Sequence, residues 1–219
     1  MRCTRSPACV WFFLLARLSS GLGDRYRYPT RPNVKLTESY LDTFVQTLTK
    51  KGTTFEPGLT DTEIDQIEDH WRFTFPPDLR QLLQHALPTS ERFPNWRSES
   101  SESLGQRINW PYRGMCFDIK NNDFWMDGWP DRPDCIDAAN QIAKTAIFQA
   151  PTLIPIYSHR YIPAAPSEIG NPVFSVYQTD IIFYGFDLTH YLEREFGVSN
   201  PNTVPDQPRK ISFWQKIVG

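Results

Sequence analysis

"EPGLTDTEIDQIEDHWRFTFPPDLRQLLQHALP", residues 56–88, is the stretch on which the fold turns. Thr60 followed by Glu63 forms a capping box, in which each side chain bonds the other's backbone amide at a helix start. Asp61 and Glu63 lie where the helix macrodipole favours negative charge. Ile64, Ile67 and Trp71 give this helix one apolar side. Phe75-Pro76-Pro77-Asp78 stops it and starts another, because proline suits a first helical turn and breaks an interior one. Leu79, Leu82, Leu83, Ala86 and Leu87 then make an apolar stripe at helical spacing, predicted to run to Pro88.

Upstream, Leu36, Tyr40, Leu41, Phe44, Val45 and Leu48 predict an amphipathic helix over 37–50. Lys50-Lys51-Gly52 closes it with terminal cations and a C-cap glycine. Residues 24–35, basic and broken by proline, read as a linker. Downstream, residues 89–107 are rich in Ser and Glu without periodicity and read as a long mobile loop, with Phe93 and Trp96 as anchors. Met115-Cys116-Phe117 and Phe124-Trp125 read as short strands about a polar turn. A helix follows from Ala138 to Phe148, with Ile142, Ala146 and Ile147 inward. Leu153–Tyr157 and Arg160–Ile162 read as strands joined at Ser158-His159. Val173–Tyr177 and Ile181–Gly185 read as a hairpin turned by Gln178-Thr179-Asp180. A last helix runs from Leu188 to Phe196 and ends at Gly197, and Phe213, Trp214, Ile217 and Val218 of the tail must dock. Helices first and antiparallel strands after predict one α+β domain over 36–219, with N-terminal helices packed on a mostly antiparallel sheet.

Composition narrows the function. Nineteen prolines in 219 residues exceed the usual level of roughly 5% and predict short elements with fixed turns. Seven Trp and fifteen Phe predict an aromatic core and an aromatic binding face. Net charge is −2 with the signs mixed, so the basic stripe that nucleic acid requires is missing. Of four cysteines, Cys116 and Cys135 lie in the body and have no zinc spacing. They read as buried free thiols, or as a single disulfide in an oxidising compartment. Residues 1–23 hold Arg2, Arg5 and Arg17, no acid, and an apolar run from Cys9 to Ala16 too short to span a membrane. They fit a secretory signal, an organelle transit peptide or an unstructured extension, which leaves localisation open.

The most chemically suggestive run is "PTLIPIYSHRYIPAAP", residues 151–166. No G-x-S-x-G elbow accompanies it. Adjacent strand residues face opposite ways, which sets Ser158 and His159 badly for sharing a proton. If the strand continues unbroken through the turn, alternation sends Tyr157, His159 and Tyr161 to one face and Ser158 and Arg160 to the other. His159 and Arg160 are expected to tie neighbouring backbone by hydrogen bonds. Asp118, Asp123, Asp127, Asp131 and Asp134 lack the EF-hand pattern and read as a solvated turn over Trp125 and Trp129. No phosphate loop, dinucleotide fingerprint, cofactor site or metal site is expected. Tyr157, Tyr161, Tyr177 and Tyr184 on neighbouring strands predict an aromatic sheet face, and Tyr, Trp and Arg supply most interface hot spots. The binding surface is therefore assigned to Trp96, Trp125, Tyr157, His159, Arg160, Tyr161, Tyr177, Asp180 and Tyr184. The alternative is a hydrolase using His159 with Asp180 or Cys116.

Gly58-Leu59-Thr60-x-x-Glu63-Ile64-x-x-Ile67-Glu68 with Phe75-Pro76-Pro77-Asp78-Leu79-x-x-Leu82-Leu83 resembles the N-terminal signature of the SUKH superfamily. Leu153-Ile154-Pro155-Ile156-Tyr157 with His159-Arg160-Tyr161, then Gly170-Asn171-Pro172-Val173 and Ser175-Val176-Tyr177-Gln178-Thr179-Asp180-Ile181-Ile182, resembles its SMI/KNR-type members. These include fungal cell-wall-synthesis regulators and bacterial toxin-immunity proteins. The likeness spans about residues 36–217. One departure is His85-Ala86-Leu87-Pro88, where many relatives carry an Asn-Gly or Gly-Gly turn. The resemblance implies an α+β fold without enzymatic activity or cofactor, an intracellular setting and binding to a protein partner. It does not name the partner or the oligomeric state.

Overall fold

The structure is a computed structural model that describes residues 36–199 and 204–219. The expectations for residues 1–23 and for the linker 24–35 lie outside the described residues. Helix α1 (Glu38–Lys50) starts where the Thr37 side chain accepts from the Tyr40 amide. It ends in a Schellman motif: the Thr53 amide donates to Leu48 O and the Gly52 amide to Thr49 O, both at 3.0 Å. Gly52 takes φ +89 there, a conformation that glycine adopts without strain. Helix α2 (Asp61–Trp71) carries the predicted capping box, with Thr60 N–H donating to Glu63 Oε2 at 2.8 Å and Glu63 N–H to Thr60 Oγ1 at 3.2 Å.

Helix α3 (Pro77–His85) stops before its apolar stripe does. Ala86–Pro88 leaves the helix as strand β2 and pairs antiparallel with β1 (Phe55–Pro57). The cause lies in the preceding chain. Gly58 passes so close to the end of α3 that a Cβ on it would meet Gln84 O at 1.8 Å. Leu59 N–H takes the Leu83 carbonyl at 2.9 Å. Pairing with β1 replaces the last helical turn, and Leu87 stays fully buried.

Residues 89–135 depart most from expectation. Residues 101–108 of the expected mobile loop form helix α4 (Ser101–Ile108), capped by Ser100, whose hydroxyl accepts from Ser103 N–H at 3.2 Å. Phe93 and Trp96 do anchor the preceding segment, since both are buried. The expected strands at 115–117 and 124–125 do not form. Helix α5 (Trp110–Asn121) takes the first, started by Pro111, with Pro111, Met115 and Ile119 buried four residues apart. Phe124 and Trp125 lie in a loop, where Trp125 meets Trp129 edge-on at 4.9 Å. Helix α6 (Ile136–Gln149) buries Ala139 and Ala143 and half-buries Ile147, so its inner face is turned from the expected Ile142 and Ala146. Phe148 points outward, 90% exposed. Cys116 is a free thiol, so the Cys116–Cys135 disulfide is not formed. Cys135 is itself disulfide-bonded and is not the free thiol expected.

The main sheet holds β3 (Leu153–Tyr157), β4 (Arg160–Pro163), β5 (Val173–Tyr177) and β6 (Asp180–Gly185) in the order β3-β4-β5-β6, all antiparallel. On one face Ile154, Ile156, Ile162 and Val173 join the large core built from α1, α3 and α7 (Leu188–Phe196). On the other, Leu153, Tyr161, Phe174, Val176 and Ile181 pack against Ile211 and Trp214 of the tail. Trp214 donates its indole N–H to Pro151 O at 2.7 Å. Phe213 just before it adopts φ 69 and ψ −64, closing a γ-turn in which Trp214 N–H meets Ser212 O at 2.9 Å. Such strain of roughly 1–3 kcal/mol is held by the burial on either side. The described residues thus form a single-domain α+β fold, as their order of elements predicts.

Two buried polar side chains tie loops to this frame. Asn171 donates to Pro163 O and Pro166 O and accepts from Arg209 Nη1. Asp78 in the first turn of α3 accepts from the Leu79 and Gly170 amides at 3.0 and 3.1 Å. Among the described residues no cation pairs with it, and burial pushes its pKa up to about 6.

Candidate functional site

The site follows from strand pairing. Directly opposed residues of antiparallel strands point to the same face. Tyr157 opposes Arg160, Arg160 opposes Ser175, and Ser175 opposes Ile182. These four side chains form one row across the sheet, on the α7 face. Tyr177 and Asp180, the opposed pair closing the β5–β6 hairpin, extend this face beyond the row, and Tyr184 adjoins the core under α7. The face is covered at one end only. Tyr177 is 62% and Ile182 44% exposed, while Tyr184 and Tyr157 are half-buried.

Arg160 is the centre of this row. Its Nε donates to Glu195 Oε2 of α7 at 2.9 Å, and one Nη donates to Ser175 Oγ at 2.7 Å and to His159 Nε2 at 2.5 Å. Its guanidinium carbon lies 3.7 Å from the Tyr184 ring centroid, within cation–π range. Arg194 of α7 rests on the same ring at 4.5 Å and donates to Tyr184 O. The other Nη of Arg160 has no protein partner among the described residues.

His159 shows why these polar residues do not form a proton relay. Nδ1 of His159 lies 3.2 Å from Ser158 Oγ, so the two side chains do meet, contrary to the alternation argument. The cause is Ser158, which takes φ 48 and bends the chain into a turn instead of continuing a strand. Arg160 donates to Nε2, so the proton of neutral His159 sits on Nδ1 and is donated to Ser158 Oγ. An imidazole bonded this way cannot take the serine proton. Burial, then the neighbouring Arg160 charge, lowers the His159 pKa. Neither Asp180 nor Cys116 is a hydrogen-bond partner of His159. The Cys116 thiol is pushed up by burial, away from thiolate character.

Six of the nine surface residues read from the sequence come together: Tyr157, His159, Arg160, Tyr177, Asp180 and Tyr184. Three do not. Trp96 is core, edge-on to Phe75 at 5.3 Å and to Phe73 at 6.0 Å. Tyr161 points to the opposite face, 2% exposed, and donates to Arg107 O at 2.9 Å. The expected grouping of Tyr157 with Tyr161 fails because the turn at Ser158 ends the alternation. Trp125 belongs to the α5–α6 loop and donates to Pro130 O at 2.9 Å. His159 and Arg160 bond side chains, not the expected neighbouring backbone. Asp118 leaves the aspartate cluster: it is buried and accepts from Thr179 N–H and Oγ1–H, pinning the hairpin turn to α5. Among the described residues no group of three or more His, Cys, Asp or Glu could hold a metal ion.

Ser175 and Ile182 were absent from the sequence-derived surface although strand alternation carries both. Glu195 and Arg194 come from α7, and nothing in a single sequence pairs a helix end with a strand 35 residues earlier. No family model, no curated protein and no solved structure matches the chain.

Proposed function

We propose that this chain is a non-catalytic protein-interaction domain that binds a protein partner through the half-covered face of its main sheet. One observation carries the reading. Tyr177 and Ile182 are exposed on a sheet face beside Arg160, which is itself held by Glu195, Ser175 and Tyr184. Exposed Tyr with a pre-oriented Arg is the composition of an interface hot spot, and a fixed guanidinium loses little freedom on binding. The SUKH resemblance, with its protein-binding members, agrees with this reading. Among the described residues no helix is long and apolar enough to cross a membrane.

Affinity capture from native cells, with the full chain as bait, tests the assignment. The wild type is compared with a Tyr177→Ala/Ile182→Ser variant whose circular dichroism and Tm are unchanged. A partner that is lost with the variant supports the sheet face. If every captured protein binds the variant equally, the interface lies elsewhere.

A further inference from the structure

The two edges of the main sheet are finished differently. β3 at one edge carries Pro155 in its middle, and the turn after it is tied down where Ser158 N–H donates to Arg92 O at 2.7 Å. β6 at the other edge, Asp180-Ile181-Ile182-Phe183-Tyr184-Gly185, has neither proline nor lysine to blunt it. Its pairing with β5 fixes which groups face outward. Tyr177 and Asp180 close the hairpin, so alternation turns the backbone of Ile181 and Phe183 away from β5. Among the described residues, the Ile181 amide and both backbone groups of Phe183 have no hydrogen-bond partner. Ile181 O takes only the Gly219 amide, at 3.3 Å. A bulge at Tyr184 ends the regular edge.

Asp180 and Ile182 alternate onto the α7 face and are both exposed, Ile182 by 44%. Arg194 of α7 stands at the far end of the same strand, where it donates to Tyr184 O at 3.2 Å. Neither Asp180 nor Arg194 has an ion-pair partner among the described residues. Of the carboxylates beside Arg194 in α7, Glu195 is bonded to Arg160, and Glu193 lies close enough to Tyr40 of α1 to act on its hydroxyl. Asp180 and Tyr184 are four residues apart, roughly 13 Å along a strand, which keeps the acid and the arginine apart in one chain.

We propose that β6 pairs antiparallel with β6 of a second copy of this chain, about a two-fold axis at Ile182. Of the registers that keep like faces together, the one centred on Ile182 uses every outward-facing group. Ile181 of each copy then exchanges backbone bonds with Phe183 of the other. Ile181 O has two lone pairs and takes the copy's amide beside that of Gly219. The two Ile182 side chains meet on the axis, with Cα atoms about 4.5 Å apart. Asp180 of each copy lies opposite Tyr184 of the other and so meets its Arg194, twice by symmetry. Charges on this face are balanced, Arg160 by Glu195 within the chain and Asp180 by Arg194 across the axis. Such balance suits self-association and disfavours a strongly charged ligand. A strand of another protein could use the same backbone groups, but nothing would fix an arginine opposite Asp180. The pairing uses the strand edge and stands apart from the partner that the open face binds.

Sedimentation equilibrium of the full chain, from about 1 µM to about 1 mM, tests the pairing. So short an edge should give a reversible monomer–dimer equilibrium within that range. Ile182→Lys, at an exposed position, should raise the dimer dissociation constant about tenfold by setting two ammonium groups on the axis. Asp180→Lys or Arg194→Glu alone should each raise it about fivefold, and the two together should restore wild-type association. Circular dichroism and Tm check that each variant is folded, and the charge exchange decides if Ile182→Lys is not. A wild type that stays monomeric throughout, or a dimer that Ile182→Lys leaves intact, overturns the pairing. So does a charge exchange that fails to restore it, which would leave the edge to a strand of another protein. If the wild type is monomeric and a captured partner is still lost with Tyr177→Ala/Ile182→Ser, the open face stands and only self-pairing is wrong. A dimer restored by charge exchange, with no partner captured, has the reverse meaning.

Discussion

The two faces of the main sheet use the same residue type in opposite ways. Tyr161 on one face is 2% exposed, with its hydroxyl bonded to Arg107 O, and Tyr177 on the other is 62% exposed. The first face is sealed by the tail, whose Ile211 and Trp214 complete an apolar layer. The second is covered by α7 only at one end, and its open part carries Arg160, His159, Tyr177 and Ile182. Residue type alone therefore does not tell a wall from a surface. The structure on top of the strand decides.

That contrast can be broken experimentally. Trp214→Ala removes the largest sealing side chain and its bond to Pro151 O, and should cost about 3–5 kcal/mol in urea unfolding. If it costs no more than Tyr177→Ala, the tail does not seal the sheet.

Buried charge sharpens the comparison. Arg160 at the open face is paired, whereas Asp78 in the core has amide donors but no cation among the described residues. A carboxyl group whose folded pKa is raised to about 6 is stabilised as its neutral form. The folded state then binds the proton more tightly than the unfolded chain, so this group adds stability at low pH and loses it as pH rises. The window runs from the ordinary value near 3.8 up to about 6, with an effect of roughly 3 kcal/mol. Denaturation at several pH values should show Asp78→Asn flattening that slope relative to wild type. An unchanged slope would mean that Asp78 titrates normally.

Smaller effects follow on the strands themselves. Tyr161→Phe removes a hydrogen bond and leaves Arg107 O without that donor, for a loss of about 1 kcal/mol in stability. Tyr177→Ala should change stability by less than about 0.5 kcal/mol, because the side chain is largely solvated. A loss as large as that of Tyr161→Phe would show that Tyr177 is structural.

The parts legible in the sequence were those governed by local chemistry. Thr60 and Glu63 cap α2, Pro77 opens α3, and Gly197 ends α7, as their positions predict. The 101–108 helix was hidden because its Ser-rich composition resembles a loop, and one buried residue, Leu104, is its main apolar anchor. Helix α5 was hidden because Met115-Cys116-Phe117 reads as a β run, while the spacing of Pro111, Met115 and Ile119 is helical. The end of α3 is set by Gly58, which lies outside the apolar stripe that predicted a helix running to Pro88. Tyr177 and Asp180 were legible as an opposed hairpin pair, whereas Arg160 lies on the face opposite to the one alternation gave it, because the turn at Ser158 interrupts the strand. Trp96 and Tyr161 failed because the layers covering them come from residues far along the chain.

The Trp214–Pro151 bond links positions 63 residues apart, whereas the caps of α1, α2 and α4 lie within three residues of their partners. Contacts of long separation form late, after loop-closure entropy has been met. Helices should therefore appear in far-UV circular dichroism ahead of the sealing step. Closure of the sheet by Trp214 is then a distinct late event, in which one buried indole reports the moment the second layer closes.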